Sequence, residues 1–252
     1  MNGCRVRELM RNVGSPCARM RIFGVRFPMS TSALPCPFLD MRWKATACVT
    51  ATPVPSVAVM NTHHDELCAS PEWAAHLHDE VLPLAVARAA LGKDLLEVGP
   101  GPGAATEWLR TKVDRLVAVE IEAAAASLLT DRFAGTNVEI RQGSGVALDF
   151  SDGSFDSAAS FTMLHHVPTA ALQNRLLAEI LRVLRPGGVL VGSDSLPSQS
   201  LHTFHEGDIY NPVEPAAFLV RLQTLGYVDI TLSVGDRLTF SAHKPTPKGA
   251  QS

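Results

Sequence analysis

No uninterrupted apolar run of about 18 residues occurs in this 252-residue chain, which argues against a transmembrane helix. The fairly apolar stretch 45–60 is broken by Pro53 and Pro55. Cysteine is sparse and badly spaced for metal or redox work: Cys4, Cys17, Cys36, Cys48 and Cys68 include no Cys-x-x-Cys pair. That pattern gives neither a zinc site nor a disulfide framework, and free thiols in a reducing cytoplasm are expected. Acidic groups are scarce before Met60, where Glu8 and Asp40 stand against eight basic residues. The remainder, 60–252, carries a net charge of −9. An acidic globular part is poorly suited to nucleic acid, whose binding rests on neutralising phosphates; a small-molecule partner fits better. Hydrophobic residues at 46% and charged residues at 19% are those of a soluble globular chain.

Residues 1–59 show no sustained apolar period and are punctuated by Pro16, Pro28, Pro35 and Pro37. They read as a disordered or loosely attached extension. Their Arg-rich, acid-poor composition also resembles a targeting peptide, and Met60 offers an alternative start. From 60 to 252 the pattern predicts one domain. Ser70 caps a helix opened by Pro71 and running to about Ala90. Strands are expected at Asp94–Val98, Leu116–Glu120, Val138–Arg141, Phe155–Phe161 and Val189–Val191. Helices are expected between them at Ala104–Arg110, Ala123–Phe133 and Ala170–Leu184, the last halted by Arg185-Pro186-Gly187-Gly188. After a helix over Pro215–Leu225, Tyr227–Val234 and Arg237–His243 are joined by Gly235-Asp236, which is hairpin chemistry. Alternating strands and helices give a doubly wound, Rossmann-like α/β fold, a mostly parallel seven-stranded sheet ending in an antiparallel hairpin.

The strongest chemical signal is Glu97-Val98-Gly99-Pro100-Gly101-Pro102-Gly103, directly after an apolar strand and opening a helix. Glycines there turn the chain sharply and let a ligand approach the backbone, at the position where open α/β sheets bind ligands. Gly99, Gly101 and Ala104 also satisfy the dinucleotide pattern, so a nicotinamide-dependent oxidoreductase is an alternative, as is a binding domain without turnover. Glu97, the Leu184–Gly188 segment and the terminal hairpin argue against the nicotinamide reading. Leu95–Gly103, Val117–Glu120, Gly143–Asp156, Phe161–Pro168 and Leu181–Gly188, in that order, resemble the motifs of class I S-adenosylmethionine-dependent methyltransferases. The likeness is to small-molecule enzymes of the quinone-biosynthesis type.

The resemblance implies a cofactor, S-adenosylmethionine, and roles for particular positions. The Gly99–Gly103 loop, with Pro100, would run beneath its methionine part, and Glu120 would accept both ribose hydroxyls through charge-assisted bonds. Ser144 stands where the family often has an aspartate for the adenine amino group, with the Gly145 and Val146 amides sharing that work. Glu97, Ile121, Phe161 and Thr162 complete the expected cofactor set. His165 and His166, at the end of the fourth strand, are the candidate catalytic bases. No Asp/Asn-Pro-Pro-aromatic motif follows that strand and no cysteine lies in the core motifs, which disfavours base amines and covalent attack on pyrimidines. His202, His205, Glu206 and Asp208 are spaced irregularly and read as a substrate-facing loop, with no metal expected. His63-His64-Asp65-Glu66, with His76 and His78, reads as a polar helix entrance, and the helix around Trp73 as a cover for the cofactor.

Overall fold

Strand β1, Asp94–Val98, is buried along nearly its whole length, because Leu95 faces one side of the sheet and Leu96 and Val98 the other. Residues covered on both faces are the mark of a central parallel strand. A computed structural model describes residues 62–247, Arg88 excepted; the expected extension over 1–59 and four of the five cysteines lie outside that span. The other strands are β2 (Arg115–Glu120), β3 (Val138–Gln142), β4 (Phe155–Phe161), β5 (Leu184–Ser195), β6 (Val228–Val234) and β7 (Arg237–His243). Their order across the sheet is β3-β2-β1-β4-β5-β7-β6. The first five run parallel, while β7 pairs antiparallel with both β5 and β6. The expected seven-stranded sheet and its closing hairpin are present, and β7 inserts between β5 and β6.

Helices cover both faces. On one, Leu176, Leu177 and Ile180 of α6 (Ala170–Val183) and Phe218 and Leu222 of α8 (Pro215–Leu225) pack with Leu96, Val98, Val117 and Val119. On the other, Leu82 and Ala85 of α3 (Leu82–Val86) and Ala105 and Leu109 of α4 (Ala104–Leu109) meet Leu95, Leu116, Ala118 and Val191. Each such aliphatic side chain contributes about 1.5–3 kcal/mol by leaving water. Helix α5 (Ala123–Arg132) follows β2, and the short α7 (Gln199–Phe204) lies between β5 and α8.

Two segments differ from expectation for local reasons. The single helix expected from Pro71 is α2 (Pro71–His76), a π-helical turn (Leu77–Val81) and α3 in succession, preceded by α1 (Thr62–Cys68). Pro83 has no N–H to give, and Leu82 bonds back to Leu77 across five residues, so the regular ladder is lost there. The Arg185-Pro186-Gly187-Gly188 segment does end α6, but the chain enters β5 at once, with a register shift opposite Phe155 and Ser157. Gly188 is needed at that irregularity, since a Cβ there would lie 2.8 Å from the carbonyl oxygens of Arg185 and Asp156. Arg185 also joins Asp94 and Asp156, fastening the start of β1 to β4.

Chain direction positions the site. From β1 the sheet grows one way to β2 and the other way to β4, so the connections leaving β1 and β4 part and open a crevice at their carboxyl ends.

Candidate functional site

The loop after β1 enters that crevice through three left-handed glycines: Gly99 at φ 71°, Gly101 at 53° and Gly103 at 87°. They are there for different reasons. A Cβ on Gly99 would lie 2.2 Å from Met163 Cγ, and one on Gly103 would lie 2.8 Å from Leu129 Cδ2; both are packing requirements. A Cβ on Gly101 would meet nothing within 4 Å. Gly101 is therefore the position at which the backbone borders open space. Pro100 beside it is buried, and its carbonyl accepts from the Gly103 amide at 3.0 Å.

Two carboxylates flank the loop. Glu120, at the end of β2, is 7% exposed and accepts from the Glu122 amide at 3.0 Å. Burial raises its pKa, and the amides of Glu122, Ile121 and Gly101 offset part of that rise. The same carboxylate thus reaches the backbone of Gly101. Ile121, next in the chain, is 36% exposed, an apolar surface beside the acid. Glu97 points from β1 toward α4, where its Oε2 accepts from Thr106 Oγ1 at 2.7 Å. Burial pushes the Glu97 carboxyl up to about 7, against the Thr106 bond and with help from the charge of Glu120.

A measurable consequence follows from Glu97. Between its ordinary value of 4.5 and about 7 the folded protein holds a proton that the unfolded chain has released, so stability falls as pH rises through that window. The full effect is at most about 3 kcal/mol. Glu97→Gln keeps an acceptor for Thr106 and removes the charge. The variant is expected to unfold with wild-type stability at pH 4 and to be more stable by about 2–3 kcal/mol at pH 8, in urea melts at the two pH values. A difference that does not change with pH contradicts this account of the carboxyl.

After β3, Ser144 sits in a turn where its hydroxyl accepts from the Val146 amide at 3.4 Å. Gly145 is demanded by packing, since a Cβ there would lie 2.7 Å from Val98 Cγ1. After β4, Phe161 is buried and Thr162 has φ 51° with its amide bonded to the Ser193 carbonyl at 2.8 Å. A β-branched residue in the left-handed region is strained by about 1–3 kcal/mol, and such strain gathers at functional sites. The cofactor residues expected from the sequence thus sit on the loops and strand ends after β1, β2, β3 and β4.

The two candidate bases have different surroundings. His165 is buried, and its Nδ1 donates to Asp194 Oδ1 at 2.6 Å. Asp194, near the carboxyl end of β5, also accepts from the Ser195 amide at 2.7 Å. Its other oxygen, Oδ2, is buried without a partner. Asp194 is not singled out by any motif; its one mark in the sequence is to be the lone acid within Val189–Ser195. His166 is driven far below the usual imidazole range, by burial first and then by the charges of His165, His64 and His205. Its ring packs with those of His165, His64 and His205, 4.1, 4.8 and 5.4 Å away.

The N-terminal helices and the loop after β5 close this side. His78 Nε2 donates to the Ala104 carbonyl at 2.7 Å, joining the π-helical turn to the start of α4. Trp73 packs against the second core cluster, with Arg237 stacked 5.5 Å from its ring. Asp208 accepts from His64 Nδ1 at 3.1 Å. His64 and Asp208, expected on a polar helix entrance and a separate loop, are in contact.

Residues 96–192 match the family of methyltransferase domains. A Mycolicibacterium smegmatis protein named a probable S-adenosylmethionine-dependent methyltransferase is 30% identical over 114 residues, covering 45% of this chain and 42% of that one. Phthiotriol/phenolphthiotriol dimycocerosates methyltransferase 1 of Mycobacterium ulcerans is 31% identical over 112 residues, 44% of this chain and 40% of its own. The chain spans about two fifths to three fifths of the curated relatives it matches. Among solved structures, a SAM-dependent methyltransferase of Methanosarcina mazei superposes with a TM-score of 0.56 at 17% identity, over 65% of this chain and 98% of that one.

Proposed function

Starting from a chain that carries a class I S-adenosylmethionine-dependent methyltransferase domain, we propose that it transfers the sulfonium methyl group to a small-molecule acceptor. The observation that carries this reading is the conjunction of an open backbone at Gly101 with a buried carboxylate at Glu120 that reaches the same amide. A nucleoside whose ribose hydroxyls meet Glu120 would lay its remaining part along Gly99–Gly103. When bound, S-adenosylmethionine supplies an electrophilic methyl carbon and a good leaving group. The chain's own task is then to hold, align and keep dry.

Glu97 places a second buried carboxyl on β1, suited to the cationic part of such a ligand, and Ile121 offers apolar surface to a base. Ser144, with the Gly145 and Val146 amides, borders the same end through polar atoms. On the acceptor side, His165 is tied by Asp194 through Nδ1, which leaves Nε2 as the atom to receive a proton from an acceptor that must lose one. The acidic balance of residues 60–252 supports a small molecule rather than a polyanion. A relative in this group is named for a lipid substrate, so apolar acceptors belong in the first trial set.

Formation of S-adenosylhomocysteine from S-adenosylmethionine by the purified full chain, in the presence of fractionated metabolite and lipid extracts, tests the reading. Acceptor-dependent product supports it, and none across all fractions with bound donor opposes it. Within the site, Glu120→Ala is expected to weaken donor binding about 10- to 100-fold, the loss of one or two charge-assisted bonds of about 1.5–3 kcal/mol. An unchanged dissociation constant removes Glu120 from the site.

A further inference from the structure

We propose that His64, His166 and His205 form a binding site for a divalent transition-metal ion of the zinc class. The three imidazoles come from α1, from the 3-10 turn Leu164–His166 and from the end of α7. One ring nitrogen of each lies within 4.8 Å of the others. Zinc bound at about 2.0–2.1 Å by tetrahedral nitrogens sets them about 3.4 Å apart, so each side chain has to shift by roughly 1 Å to close on an ion.

The second nitrogens make the stronger case. His64 Nδ1 donates to Asp208 Oδ2 at 3.1 Å and His205 Nδ1 to the Leu201 carbonyl at 2.7 Å, while His166 lies beside the backbone of Ile209. Metal-binding histidines are commonly held this way, one nitrogen tied to a carboxylate or carbonyl and the other turned to the ion. With Nδ1 committed as donor, His205 Nε2 is a lone-pair acceptor, and it is buried with no partner although the residue is only 3% exposed. An orphaned acceptor of this kind costs about 1–3 kcal/mol, and a metal ion shared with two neighbouring imidazoles satisfies it. Three protein ligands also leave one tetrahedral position for water or another oxygen.

The site does not depend on methyl transfer and is tested without it. Full-length protein is stripped with chelator, dialysed and titrated calorimetrically with Zn²⁺, then with Co²⁺ while visible absorption is followed. One ion per chain, a rise in melting temperature and the absorption of tetrahedral Co²⁺ are expected. His205→Gln and His64→Gln are each expected to weaken Zn²⁺ binding by roughly 100-fold or more, and Asp208→Asn by about 10-fold. His202→Gln, on the same helix but outside the trio, is expected to bind like wild type. Circular dichroism melts of the chelated proteins show whether each variant is folded. Absence of stoichiometric binding by folded wild-type chain overturns the site. So does binding that folded His205→Gln and His64→Gln both retain at wild-type strength, since the ion then sits elsewhere.

Discussion

Gly101→Val is expected to abolish donor binding, a loss beyond about 100-fold, while the chain stays folded. Position 101 is the loop glycine where an added Cβ meets no protein atom within 4 Å, so a valine there fills volume that the proposed ligand would occupy. Its φ of 53° adds strain of about 1–3 kcal/mol for a β-branched residue, which lowers the melting temperature without unfolding the domain. Gly99→Ala separates the two causes. Its methyl group would strike Met163 at 2.2 Å, so that variant loses stability through displaced packing. Equilibrium binding and thermal melts on both variants distinguish a blocked slot from a damaged core. If Gly101→Val binds as wild type does, the slot lies elsewhere.

The second large effect is at His165. Replacing it with alanine is expected to lower turnover by about 10²–10³-fold when the acceptor must lose a proton, with donor affinity unchanged. Asp194→Asn should share most of that loss, because the amide cannot hold His165 in the same tautomer as the carboxylate that now accepts from Nδ1 at 2.6 Å. The two losses should not add, since the residues act as a unit. Steady-state kinetics on the single and double variants give the comparison. Full activity in His165→Ala means that the imidazole takes no proton, and equal losses in turnover and donor affinity mean that it holds the site's shape.

The parts of this molecule legible in the sequence are those whose cause is local. Leu95-Leu96-Glu97-Val98 and the glycines after it specify a buried strand and a left-handed turn within ten residues, and the Gly235-Asp236 hairpin is equally self-contained. The start of β5 was hidden because Pro186, Gly187 and Gly188 end a helix in either case; only pairing with Phe155 and Ser157 makes them part of a strand. The π-helical turn left one trace, Pro83, which by itself points only to a weakened helix. The site divides the same way. The reason for each loop glycine came from what surrounds it: Met163, Leu129, or open space. Asp194 had a faint signal as the one acid in β5, after the apolar run Val189–Val191. The histidine trio had none, since residues 64, 166 and 205 meet only through tertiary packing, whereas local spacing groups His205 with His202, Glu206 and Asp208 in one loop.

Calorimetric titration of the folded full chain with S-adenosylmethionine, and separately with S-adenosylhomocysteine, bears most directly on the proposed slot along Gly99–Gly103. Saturable one-to-one binding of both, at a dissociation constant between about 1 μM and 1 mM and with a matching rise in melting temperature, is the predicted result. No heat and no thermal shift with either ligand at millimolar concentration would contradict it.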